Sequence, residues 1–445
     1  MRIKGLPILA AVMMAAILFI ALPTMACAAT PSDPDTVYID RFGVLSPPMS
    51  FNDALALLED GDDLVLLEDI TASNAVIIPA VDVSLKLDNH TFTVNNPTGN
   101  ALLINASWFH IVGPGTATFN GSIEVASDGT LVCMEDALVD IDGSINSQAV
   151  NTDALIVQDG SEVTISGNII ALQLDPGEWD IYAVNCDRSK VEISGNIESA
   201  GYGACARHGS EMFISGAVIC GVDGLWADED SGIRLDNDLT AGGSGAAATF
   251  GATITIRGDV DAATVPGTEP FQYGVAAAYG GTTNVYGNVV SGDDGVICWD
   301  GSAVYIEGDV VAAGQYGVWC ETGPYGGILG SEVTIDRGLI VIDPASTFIY
   351  VGEVDKTALE HDPTSLKAGY TQWSATQEFQ DFDPATSFVW IKTPEPPTPP
   401  TPDEPDPVDP VIPPTGDLGT LVSMGLVFVS TTLGMGAMVL RRRSF

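Results

Sequence analysis

VTISGNI (163–169), VEISGNI (191–197), MFISGAV (212–218), IRLDNDL (233–239), ITIRGDV (254–260), NVYGNV (284–289), VYIEGDV (304–310) and VTIDRGL (333–339) are copies of one pattern. LVDIDGSI (138–145) is an earlier copy. Each has alternating apolar residues, a corner of Gly or Asn, and a second short apolar strand. From Gly195 the corners at Gly216, Asn237 and Gly258 follow at steps of 21 residues, as does Gly308 after Gly287, while other steps run from 24 to 30. A fixed period with occasional additions is what a solenoid with loop insertions produces. A second pattern keeps step with the first: YGACA (from Tyr202), DGLWA (Asp223), YGVAA (Tyr273), DGVIC (Asp294) and YGVWC (Tyr316) each open a strand.

One such turn is too small to bury its own apolar face. Stacking turns at about 4.8 Å pairs each strand with its copies above and below and creates a shared interior. Alternation places Val163, Ile165, Val191, Ile193, Val304 and Ile306 inside, with Thr164, Glu192 and Tyr305 outside. The corner glycines are expected to supply positive φ. The reading is an all-β, right-handed parallel β-helix of about eleven coils, near 50 Å long. Ser50 to Glu59 reads as a capping helix, with Ser50 as N-cap and Phe51, Ala54, Leu55 and Leu58 on one face. Residues 346–392 lose the period, are rich in aromatics and read as a small C-terminal β cap.

DALALLEDGDDLVLLEDI (53–70), VDVSLKLDNHTFTV (81–94) and FHIVGPGTATF (109–119) open the repeating region. This opening resembles that of pectate-lyase-like parallel β-helix proteins of bacterial surfaces, with Leu87 to Phe92 and Ile111 to Thr116 at the matching positions. The resemblance covers roughly residues 37 to 345 and implies the fold. That fold hosts lyases, hydrolases, adhesins and spacers, so it implies no single activity.

The two ends read as processing signals. Residues 1–28 have basic Arg2 and Lys4, an apolar run and Ala26-Cys27-Ala28, and read as a secretory signal peptide. Residues 29–60 lead into the repeats, 61–345 form the β-helix, and 393–411 are a proline-rich, extended spacer. Residues 412–445 begin with IPPTG, continue with an apolar segment at 418–440 long enough to span a bilayer, and close with Arg441-Arg442-Arg443. This order resembles the LPXTG-type cell-wall sorting signal of Gram-positive surface proteins, with Ile412 where that family has Leu. The resemblance implies that a sortase reads Ile412, Pro413, Thr415 and Gly416, cuts before Gly416 and joins Thr415 to a peptidoglycan cross-bridge. The body is expected outside the cell, attached to wall or membrane, the C-terminal segment lying in the membrane before processing.

Charge narrows the partners. Sixteen basic residues against 59 acidic ones give a net charge of −43, which repels phosphate backbones and excludes nucleic acid. Weakly bound calcium is compatible with acidic stretches such as Asp60 to Asp63, although turn geometry explains them as well; no cofactor or dedicated metal site is expected. Counting along the coils puts Asp187, Arg207 and Asp228 in one column and Arg188, His208 and Glu229 in the next. Polysaccharide lyases use such bases beside acids, so Arg207, Asp187, Asp228 and His208 are the catalytic candidates. An ion-pair ladder across stacked strands explains the same columns. Trp226, Trp299, Trp319 and Tyr279 are candidates for stacking on sugar rings, or for packing beneath loops. Cys298 and Cys320 take the same offset in consecutive coils, as a disulfide or as two stacked thiols. The function expected is non-enzymatic adhesion or contact with glycans or a host surface; the alternative is a wall-tethered polysaccharide lyase or glycoside hydrolase.

Overall fold

The computed structural model describes residues 37–106, 108–125, 130–148, 152–171, 181–262, 272–322, 329–377 and 384–394. They form a right-handed parallel β-helix of about eleven turns. One long sheet gathers sixteen strands in the order of the coils. It runs from the antiparallel hairpin Val37–Arg41 and Val44–Leu45 to Thr347–Val351 and Val354–Lys356. The short strands of the SGN-type repeats build the remaining faces. Val163 pairs with Val191, Val191 with Met212, Met212 with Ile233 and Ile233 with Ile254, all in parallel.

The alternation works as the pattern predicts. Val163, Ile165, Val191, Ile193, Val304 and Ile306 are buried, while Thr164 is exposed and Glu192 and Tyr305 are half-buried. At the N-terminal end Phe51 packs on Phe92 (5.1 Å) and Phe92 on Phe119 (6.0 Å), so the cap closes on an aromatic column. The capping helix is shorter than its sequence suggests, spanning Phe51–Leu55, with the Ser50 hydroxyl accepting from Asp53 N at 3.2 Å. At the other end Tyr370–Gln377 and Ala385–Lys392 form an antiparallel pair whose second strand adds in parallel to Glu332–Ile335. The long sheet itself continues past residue 345, because Thr347–Val351 pairs in parallel with Tyr316–Glu321.

The corner glycines correct the expectation made for them. Gly195, Gly216 and Gly308 do not have positive φ. Their role is steric: a Cβ on Gly216 would lie 2.3 Å from the Gly195 carbonyl oxygen, one coil away. Coils pack here backbone to backbone. The next residue closes the bonding at this corner. Asn168 Oδ1 accepts from Asn196 N (2.8 Å), Asn196 Oδ1 from Ala217 N (2.9 Å) and Asp259 Oδ1 from Asn288 N (2.7 Å). Backbone donors that the strands leave unpaired are thereby satisfied. Positive φ occurs at a different corner, after the long-sheet strands, at Arg188, His208, Glu229, Phe250, Tyr279 and Asp300 (φ 48° to 54°).

Candidate functional site

Three columns face outward from the middle of the long sheet, set by its register. The first begins each strand. Tyr182 pairs with Tyr202, and Tyr273 with Asp294. Aspartates in this column accept backbone N–H groups from the following coil: Asp153 from Tyr182 (2.6 Å), Asp223 from Ser244 (2.6 Å) and Asp294 from Tyr316 (2.8 Å). The DG motif is thus a fastening between coils. Asp294 is only 5% exposed, and burial, with a smaller push from Asp293, raises its carboxyl to about 6.

That shift has a definite sign. The folded chain holds the Asp294 proton more tightly than the unfolded chain, whose carboxyl is near 3.8. A penalty is therefore present above pH 6 and disappears as pH falls through the window from 6 to 3.8, at most about 3 kcal/mol. Asp294→Asn keeps an acceptor for Tyr316 and removes the charge. Urea unfolding is expected to show the variant more stable than the parent at pH 7, by about 2 kcal/mol, and equal to it near pH 3.5. A parent advantage at pH 7 would contradict this account.

The second column reads Cys205, Trp226, Ala247, Ala276, Ile297, Trp319 and Tyr350. An outward face is ordinarily polar, yet Ala247, Ala276 and Ile297 are apolar and buried, beneath half-buried Trp226, Tyr273, Trp299 and Trp319. Trp299 and Trp319 meet edge to face at 5.1 Å, and Trp319 also touches Tyr316 (5.0 Å) and Tyr350 (5.8 Å). Among the described residues the buried Trp299 Nε1 has no acceptor. Three of the four aromatic candidates thus share one external apolar layer. Tyr279 stands apart: it occupies the positive-φ corner and stacks on Phe250 at 4.6 Å, with Phe250 53% exposed. Bulky side chains are uncommon at positive φ.

The third column and its neighbouring corner carry the charged candidates. Asp187 pairs in register with Arg207, whose guanidinium lies 5.7 Å from the Tyr182 ring centre. His208 bridges two coils, with Nδ1 at 2.9 Å from Asp187 Oδ1 and Nε2 at 2.6 Å from Glu229 Oε2. Arg188 bonds Asp159, and Asp228 Oδ1 accepts from Thr249 Oγ1 at 2.6 Å. The expected two rows are present. Their side chains bond each other from coil to coil, and the His208 pairs are about half exposed, which is the geometry of a surface ladder.

Cys298 and Cys320 are register partners, and in the structure both are free, buried thiols; the proximity expected of them is present and the bridge is not. The acidic stretch at 60–63 is engaged. Asp62 binds Arg41, Asp63 binds Lys86, and Asp60 accepts from Asp82 N. The signal peptide, the sorting residues Ile412, Pro413, Thr415 and Gly416, and the apolar segment 418–440 lie outside the described residues. Among the described residues no helix is long and apolar enough to cross a membrane. Comparison of the chain with protein-family models, with curated proteins and with solved structures finds no match.

Proposed function

We propose that this is an exported protein, tethered to the envelope by its C-terminal end, whose β-helix contacts glycans without transforming them. Export and tethering rest on the two terminal signals, with sortase and a peptidoglycan cross-bridge as the processing partners. Glycan contact rests on one observation above all, the apolar and aromatic layer on the outside of the long sheet. Sugar rings offer apolar C–H faces to aromatic side chains and hydroxyls to carboxylates. A stack of equal coils presents such groups at a regular spacing, as an extended polysaccharide does.

The catalytic candidates Asp187, Arg207, His208 and Asp228 support a structural part, since Asp187 pairs in register with Arg207 and binds His208, and Asp228 accepts from Thr249. The test uses the full chain, solubilised in mild detergent, on immobilised polysaccharides. Binding is expected, with Trp299→Ala or Trp319→Ala weakening retention of long polymers at least several-fold. No product is expected. Release of unsaturated or reducing ends, abolished by Arg207→Ala, would overturn the non-enzymatic reading. Absence of retention on every polysaccharide would overturn glycan contact.

A further inference from the structure

A groove of about 420 Å³ opens on the same outward face nearer the N-terminus. Its floor is Val132, Ile156 and Met134, brought together by the pairing of His110 with Val132 and of Val132 with Ile156. Trp108, 38% exposed, forms one wall beside His110, with their rings 6.2 Å apart. Asp82 and Gln158 complete the rim. Asp82 Oδ1 accepts the Trp108 backbone N–H at 2.8 Å and so fixes where the indole stands.

The remaining polar atoms decide what fits. Among the described residues Asp82 Oδ2, both His110 ring nitrogens and Gln158 Oε1 have no hydrogen-bond partner. Gln158 Nε2 reaches only the Met134 sulfur, at 3.9 Å. A hydrocarbon occupant would desolvate these groups and leave them unpaired. A hydroxyl-rich occupant with one apolar face pairs them and covers the floor. Among the described residues no cation lines the groove, and nearby Lys86 is engaged by Asp63. Burial also holds the His110 imidazole below its ordinary value, so it is uncharged at neutral pH. An acidic sugar would set its carboxylate against Asp82 with nothing to neutralise it. The volume suits one or two sugar rings.

We propose that this groove is a binding subsite for a neutral saccharide, one ring stacking on Trp108 with its hydroxyls bonded to Asp82, His110 and Gln158. The proposal rests on the glycan-contact reading and gives it a ligand class and a place. Short ligands separate the two. The full chain is titrated, by calorimetry and tryptophan fluorescence, with neutral disaccharides of glucose, mannose, galactose and xylose, and with digalacturonate. At least one neutral disaccharide is expected to bind and digalacturonate is not. Trp108→Ala should weaken that binding at least tenfold and Asp82→Asn several-fold. Asp82→Asn keeps an acceptor for the Trp108 N–H and decides the matter if Trp108→Ala disturbs folding. Disaccharide binding unaffected by both groove variants, or a preference for digalacturonate, overturns this subsite and leaves glycan contact standing. Polysaccharide retention with no disaccharide bound does the same. Failure of every saccharide, short or long, overturns both.

Discussion

Gly245→Ala is expected to destabilise the middle of the β-helix by about 3 kcal/mol or more, the cost of forcing extra volume into a close-packed interior. Gly203, Gly224, Gly245, Gly274, Gly295 and Gly317 occupy one corner in successive coils. A Cβ on Gly245 would lie 2.2 Å from the Gly274 carbonyl oxygen and 2.7 Å from Val260 Cγ1. Both obstacles are fixed, one by backbone and one by the core. A coil that moves away to make room loses its register with the next. Gly232→Ala is the control, since its Cβ would meet nothing within 4 Å and the φ there is not positive. It is expected to be neutral or stabilising, by about 0.5 kcal/mol, through the entropy of the unfolded chain. Urea unfolding followed by tryptophan fluorescence compares them. Equal midpoints for the two variants would remove the close-approach explanation of this glycine column.

Asp62→Ala is expected to loosen the N-terminal end by about 2–3 kcal/mol, less than for a fully buried pair because Arg41 is 37% exposed. Asp62 is completely buried. It receives Arg41 Nε at 2.8 Å, Arg41 Nη2 at 2.7 Å and the Glu59 backbone N–H at 2.8 Å. One carboxylate therefore joins the terminal hairpin to the segment after the capping helix. Hydrogen bonds from Arg41 hold it below the ordinary carboxyl range. Its contribution is full above pH 3.8 and is lost as pH falls through the lower, folded value. Amide exchange within Val37–Arg41 and Asp62–Leu66 should accelerate in the variant while the central coils stay protected. Uniform acceleration along the chain would contradict a local role.

The columns were legible because offsets counted from the first residue of each long-sheet strand match from coil to coil, even where the step between coils is 20, 22 or 29 residues. Hence Trp226 and Trp319 lie in one row, and Asp187, Arg207 and Asp228 in another. The groove at Trp108 was not legible. Its rim joins Asp82, Trp108, His110 and Gln158 from coils whose strands lack the YG or DG start, so there is no shared origin from which to count offsets. Tyr279 is an aromatic like the three tryptophans, but it stands at the positive-φ corner and stacks on Phe250 instead of joining their layer.

By itself the sequence determined the period, the inward and outward alternation and therefore the stacked β-helix. Those follow from burial of apolar side chains at every second residue, a property local to each strand. Only the tertiary structure decided why the corner glycines are glycines, which carboxylates fasten coils and which polar groups remain unpaired in a groove. Each of these depends on a distance between atoms of different coils, set by packing and inserted loops rather than by neighbours along the chain.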